Sequence, residues 1–349
     1  MKRILYIDPF STDGHKNFNE IYLRNLACLE VELTCVFRDG YFEELHFENK
    51  KTRLYEIPKK YYKGNRNSFF NRIEIIKILR HVKRELNFKD FDKIILAAYD
   101  NIALYFSFIR EEIFLVNHNN LAGLDNKIKL FFFKQISKRN IHLVFEDYMR
   151  EYLNSIGIAK VISVSHGLPN EFKAIGDLPP TSLTDLKIEQ YSNLIFVPSS
   201  SSSDVFFIDR LINDSSFQNY LKENNILLVV KGDFEITQNK NIQIINKYLS
   251  KIEYIYLFIK SSIIIIKYPA SFKYRTSSVF LECVANNKIV LISEIEAFKQ
   301  LESKINYNPY FTTIDELIDK VKIHICGFPL KPYVKIQEFN VDLNFLINQ

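Results

Sequence analysis

The stretch IIIIKYPASFKYRTSSVFLECVANNKIVLISE, Ile263 to Glu294, decides the fold. Four isoleucines, Ile263 to Ile266, are too few for a helix of ordinary length. A short β-branched run closed by Lys267, Tyr268 and Pro269 predicts a buried parallel strand. A polar loop follows and ends in Arg275-Thr276-Ser277-Ser278. Val279, Phe280, Leu281, Cys283 and Val284 then predict a short helix with a broad apolar face. Asn286-Asn287 stops it, because asparagine tolerates the left-handed conformation that ends helices. Ile289 to Ile292 is the next strand. The unit is β-α-β, with small hydroxylated residues in its first turn.

Such a turn is where an α/β sheet holds ligands, beyond the carboxyl ends of its strands. The first amides of a helix have no intrahelical acceptor and carry a partial positive charge, which suits phosphate. Thr276, Ser277 and Ser278 can cap the helix and keep the approach to Val279 small. Glu282 lies four residues after Ser278, on the same face. A carboxylate there can accept hydrogen bonds from the vicinal hydroxyls of a ribose. The plain alternative is that Ser and Thr open most helices and that one Glu per helix is ordinary.

The run Arg275 to Glu282, with Asn286-Asn287-Lys288-Ile289-Val290-Leu291-Ile292-Ser293 after it, resembles the donor-nucleotide segment of GT-B glycosyltransferases, most nearly the family 4 type. Two departures stand out: Ser278 replaces the usual glycine, and Tyr274 occupies the position of a second glutamate. The resemblance implies an α/β fold of two Rossmann-like domains facing across a cleft. It implies a nucleotide-sugar as donor substrate, no cofactor and no bound catalytic metal.

The chain has 349 residues, enough for two α/β domains of ordinary size. Its apolar share of 47% predicts a packed core, and a net charge of +5 over this length is too mild to argue for nucleic acid. The cysteines, Cys28, Cys35, Cys283 and Cys326, have neither CxxC nor metal-ligand spacing, and three of them sit in apolar segments as buried thiols. The first residues turn polar too soon for a signal peptide, and no apolar run approaches the ~20 residues of a membrane helix. A cytoplasmic chain is expected, with any membrane contact peripheral.

From the start, Lys2 to Asp8 reads as a strand, Asn17 to Leu29 as a helix and Val31 to Phe37 as a second strand, the opening of a doubly wound sheet. The loop Ser11 to His15 lies at a strand's carboxyl end. In GT-B enzymes the matching glycine-bearing loop faces the inter-domain cleft, where the acceptor must be oriented, and Gly14 and His15 are the expected acceptor-binding residues. Lys50 to Lys93 is basic and aromatic, and Lys127 to Arg139 repeats the style around Phe131, Phe132 and Phe133. Basic residues among aromatics suit an anionic membrane surface. The favoured alternative puts those phenylalanines in helix core among solvated lysines.

Strands follow at Ile94 to Ala97, Ile113 to Val116 and Ile141 to Phe145. His118 comes just past the second of these, where a histidine can bond a sugar hydroxyl or handle a proton. The resemblance gives it contact with the transferred sugar. Ser165-His166-Gly167 resembles the close of the family's first domain. Expected boundaries are 1–172 for the acceptor-side domain, 173–190 for the linker and 191–330 for the nucleotide-sugar domain. A tail at 331–349 is expected to return to the first domain. After the strand Asn193 to Val197 come five serines, Ser199 to Ser203, where the family carries an Arg and a Lys for the donor diphosphate. Neither occurs here before Arg210, and Lys231, beside Gly232 at the end of the next strand, is the candidate replacement.

The reading is therefore a glycosyltransferase of glycan or lipid-linked acceptors, in surface polysaccharide synthesis, with retention of configuration. Its catalytic residues are His118, Arg275 and Lys231. Its donor-binding residues are Thr276, Ser277, Ser278, Val279, Glu282 and Gly232. A binding or scaffold protein that kept the fold and lost catalysis is the rival, followed by a sugar-nucleotide epimerase.

Overall fold

The structure, a computed structural model, describes the chain apart from residues 46, 48–51, 64–67, 173–178, 199–202, 236–238, 327–331, 335 and 349. It divides into two compact units. The first comprises Met1–Gly167, Tyr274–Thr276 and Gln337–Gln349, and the second Leu168–Lys273 and Ser277–Ile336. The first run thus ends a few residues before the boundary expected at 172. The described part of the expected linker forms 3-10 turns, Thr181–Leu186 and Ile188–Gln190, within the second unit.

The first unit contains β1 (Lys2–Ile7), α1 (Lys16–Cys28), β2 (Val31–Arg38), β3 (Thr52–Ile57), α2 (Ser68–Glu85), β4 (Lys93–Leu96), α3 (Asn101–Ser107) and β5 (Phe114–Val116). It continues with α4 (Lys127–Ser137), β6 (Ile141–Val144), α5 (Asp147–Ser155) and β7 (Val161–Ser163). Its strands run in the order β3-β2-β1-β4-β5-β6-β7, with parallel pairing throughout. Both faces of such a sheet must be covered, so the interior strand β1 is apolar at successive positions. Ile4 and Tyr6 point into a core made with Phe18, Tyr22 and Leu26 of α1. Leu5 and Ile7 point into the opposite core, with Ile75, Leu79 and Val82 of α2 and Leu104 of α3.

The second unit contains β8 (Asn193–Val197), α6 (Val205–Asn213), α7 (Ser215–Glu223), β9 (Ile226–Lys231), β10 (Ile242–Ile245), α8 (Lys251–Lys260) and β11 (Ile263–Ile266). After these come α9 (Ser278–Ala285), β12 (Ile289–Ser293), α10 (Glu296–Lys299), β13 (Tyr310–Phe311) and α11 (Ile314–Cys326), while α12 (Phe345–Asn348) lies in the first unit. The strand order is β10-β9-β8-β11-β12-β13, again parallel. The four isoleucines are all buried, and Ile263 and Ile265 face α6, α7 and α11. The helix α8 opens with a capping box in which Ser250 and Glu253 satisfy each other's backbone amides.

Six elements escape the sequence reading: β3, α3, α6, α7, α10 and β13. The phenylalanine run is also corrected. The helical period of α4 turns Phe133 into the core but leaves Phe131 exposed, so core burial holds for one ring of the three and in part for Phe132. Cys35 and Cys283 are buried and Cys28 is exposed. No helix is long and apolar enough to cross a membrane among the described residues.

Candidate functional site

In the first unit the carboxyl edge of β1 is built around Asp8. Its buried carboxylate accepts the N–H groups of Phe10 at 3.1 Å and Ser11 at 3.0 Å. Asn19 Nδ2 lies 2.9 Å from it and His15 Nδ1 3.2 Å. Burial opposes the charge, yet the bonds from His15, Asn19 and Ser11 hold Asp8 below the usual carboxylate range. Ser11 adopts a left-handed φ of 45°, and its Oγ donates to the Asp8 carbonyl and accepts from the Arg38 N–H. That strained turn fixes where His15 emerges.

His15 stacks on His118, with ring centroids 4.9 Å apart. His118 also meets Phe18 edge-on at 4.4 Å and lies 6.2 Å from His166. Burial first, then the neighbouring His15 and His166, depress its pKa well below the histidine value, against Asp8 and a hydrogen bond to the Ala97 backbone. His118 is therefore a neutral imidazole at neutral pH. With one nitrogen donating to Ala97, the other is an acceptor; its Nε2 has no partner among the described residues. His15 and His118 border a cavity of about 390 Å³ that Thr12, Arg72, Asp100, Asn119 and Lys129 also line. Arg72 Nε binds both Asp100 oxygens, at 3.1 and 3.3 Å, while Asp100 caps α3 through the Ile102 and Ala103 amides.

In the second unit the turn after β11 leads into α9. Ser277 is the N-cap: its Oγ accepts the Phe280 N–H at 3.1 Å and lies 3.0 Å from the Tyr268 hydroxyl. That leaves the amides of Ser278 and Val279 at the tip of the helix, with Ser278 exposed. Glu282 sits one turn in, buried, and accepts the Tyr254 hydroxyl proton at 2.5 Å. Asn287 ends the helix with φ at 52°, the left-handed stop expected from the sequence. In the short segment grouped with the first unit, the half-buried Arg275 has its pKa lowered by burial, and Thr276 Oγ1 is buried without a hydrogen-bond partner among the described residues.

The structure thus brings His15 and His118 together, and sets Ser277, Ser278, Val279 and Glu282 on one short helix. Lys231 and Gly232 lie elsewhere, at the end of β9, which is separated from β11 by β8. The Lys231 ammonium rides over the Tyr248 ring at 5.4 Å. A side chain at Gly232 would strike the Phe234 ring at 2.2 Å, so local packing accounts for that glycine. Gly14 has open space around it, and nothing in its surroundings demands glycine. The serine loop lies largely outside the described residues.

Sequence reasoning passed over Asp8 just past β1, Arg72 inside α2 and Asp100 at the N-cap of α3, none of which carries a motif. It also passed over Lys267, which ends the isoleucine strand. That lysine is buried, its pKa is lowered by burial, and its ammonium sits over the rings of Phe207 at 4.5 Å and Phe311 at 5.2 Å. The signal was a cation straight after four core residues. No group of three or more His, Cys, Asp and Glu side chains is placed to hold a metal among the described residues.

Two Rossmann-like units with these strand orders define the GT-B class of fold. Solved glycosyltransferases share it over nearly their whole length. One is a glycosyltransferase from Rickettsia africae, 16% identical, with a TM-score of 0.58 over 99% of this chain and 96% of that one. Another is the E. coli trehalose-6-phosphate structure bound with UDP-2-fluoro glucose, 11% identical, with a TM-score of 0.61 over 99% and 95%. A third is HepE from Anabaena in complex with UDP and glucose, 12% identical, with a TM-score of 0.60 over 98% and 92%. No family model matches the sequence, and no curated protein matches it.

Proposed function

We propose that the protein is a glycosyltransferase that moves a sugar from a nucleotide-sugar to a glycan or lipid-linked acceptor in surface polysaccharide synthesis. The observation that carries this reading is the likeness of fold over essentially all of both chains to sugar transferases, two of them holding UDP or a UDP-sugar. The start of α9 supplies what a diphosphate leaving group needs. Fixed donors aimed at developing negative charge make the largest catalytic contribution in many enzymes. Here these are the Ser278 and Val279 amides and the helix dipole, with the Ser277 cap locking the first turn. Arg275 supplies a cation, and Lys267 stands in for the absent Arg/Lys pair more credibly than Lys231, being buried at a strand's carboxyl edge. Glu282, oriented by Tyr254, takes the ribose hydroxyls. Neutral His118 accepts a hydrogen bond from a sugar hydroxyl, and the His15–Asp8 pair holds the edge of the acceptor cavity.

Retention of configuration is the outcome the resemblance implies, and the anomeric NMR signal of the product tests it. The wider test is a panel of UDP-, GDP- and CMP-sugars. A true donor at a hundred times its Kd should stabilise the fold by about 2.7 kcal/mol, and should be turned over when acceptor is present. Stabilisation without hydrolysis or transfer would favour the binding-protein reading, which the missing Arg/Lys pair supports. No stabilisation by any nucleotide-sugar would overturn the donor assignment.

A further inference from the structure

The helices α3 and α4 of the first unit carry large apolar side chains on the solvent side. Tyr105, Phe106, Phe108, Ile128 and Phe131 are between 38% and 64% exposed, far from the usual fate of such residues. They are not scattered. Tyr105 meets Phe106 and Phe132 at 5.2 Å each, Phe106 meets Phe132 at 5.6 Å, and Phe132 meets Phe131 at 5.3 Å. Arg80 of α2 extends the ridge: its guanidinium lies over the Phe108 ring at 5.2 Å and donates to the Phe106 carbonyl at 2.8 Å. Ile128 stands one turn before Phe131 on the same helix. A contiguous apolar surface of this kind marks an interaction site.

Its charge says what covers it. Residues 127–139 contain five cations and no acid, and Lys127, Lys134 and Lys138 are exposed around Ile128 and Phe131. Of the nearby carboxylates, Glu111 is matched by Lys83 at 2.8 Å and Glu112 by Lys160 at 2.6 Å, while Asp125, two residues before α4, is exposed. A groove of about 200 Å³ between α3 and α4 is lined by Phe108, Ile109, Arg110 and Arg139, among others, so it offers an apolar wall with two guanidinium groups. Rings in an apolar layer with cations beside them match a bilayer whose surface carries phosphate charge. We infer that the α3–α4 ridge docks the protein on an anionic membrane surface, Phe106, Phe108 and Phe131 entering the acyl boundary while Lys127, Lys134 and Lys138 meet the headgroups. The inference does not depend on sugar transfer, but Lys129 of the same helix lines the acceptor cavity, which would place that cavity beside the lipid.

The test is co-sedimentation of the full chain with vesicles of phosphatidylcholine alone and of phosphatidylcholine containing phosphatidylglycerol. Binding is expected to the mixed vesicles only, to fall as salt is raised, and to drop at least about tenfold in Phe108→Ser/Phe131→Ser and in Lys127→Gln/Lys134→Gln/Lys138→Gln. Phe206→Ser removes an even more exposed ring from the second unit and should leave binding unchanged. Absence of binding by the unaltered protein, or equal binding to both vesicle types, would overturn the inference. So would a dimer in sedimentation velocity that Phe108→Ser/Phe131→Ser abolishes, since that would give the ridge to a second copy of the chain.

Discussion

Glu282 shows how much one residue's neighbours add to its position in sequence. A glutamate one turn into α9 is common enough, but this one is buried and its rotamer is set by the Tyr254 hydroxyl. Burial and the adjacent carboxylate push the ionisation of that tyrosine far up, so it remains a proton donor at any working pH. Replacing Glu282 with Ala should raise the donor KM about tenfold or more, about 1.4 kcal/mol. Tyr254→Phe should give a smaller rise, by loosening the carboxylate rather than deleting it. Steady-state kinetics against donor concentration checks both, and a donor KM unchanged in Glu282→Ala would remove it from the site. Tyr254 was invisible in the sequence because it lies 28 positions away on another helix.

At the scale of elements, the end of β7 illustrates a motif whose resemblance has a packing cause. Gly167 adopts φ of 85°, and an added Cβ would lie 2.5 Å from Ile21 and 2.7 Å from Val341. Both the backbone and the space exclude a side chain, so Gly167→Ala should destabilise the first unit by more than the ~1 kcal/mol of conformational preference alone. Thermal unfolding measures this, and an unchanged midpoint would refute the packing argument. The strands most readily read are the fully covered ones, β1, β9, β11 and β12, whose apolar runs need no partner to be recognised. The edge strand β3 was missed because only Ile57 of its six residues is buried and it lacks a continuous apolar run; it is a strand through its pairing with β2. Likewise α3 is seven residues long and closes on Phe108 in the left-handed conformation, where no glycine announces the stop.

Across the molecule, buried histidines tie stability to pH. Burial pushes His142 down to about 3 and His166 to about 4, and lowers His118 and His324. Burial holds His142 neutral; its Nε2 lies 2.8 Å from Ser137 Oγ and its ring stacks on Phe133. In the unfolded chain each titrates near 6.5. Below that pH the unfolded state binds protons that the folded state refuses, until about pH 4 at His166 and about pH 3 at His142. Stability is therefore complete above pH 6.5 and falls as pH drops toward 4, by up to about 1.4 kcal/mol per pH unit for each histidine. Denaturant unfolding at pH 7.5 and 5.5 should show this loss, and His142→Gln should lessen the slope. A stability that is flat between those values would mean these rings are protonated in the folded protein.

The sequence by itself determined the two α/β units, the β11-turn-α9 segment and its serine cap, because periodicity, β-branching and capping act over a few neighbouring residues. Only the tertiary structure decided that His15 stacks on His118 over Asp8, that Lys267 rides between two phenylalanine rings, and that Phe131 joins Tyr105 and Phe106 at the surface while Phe133 turns inward. Those facts arise from segments brought together across a sheet, and nothing in the local order of residues encodes the distance between them.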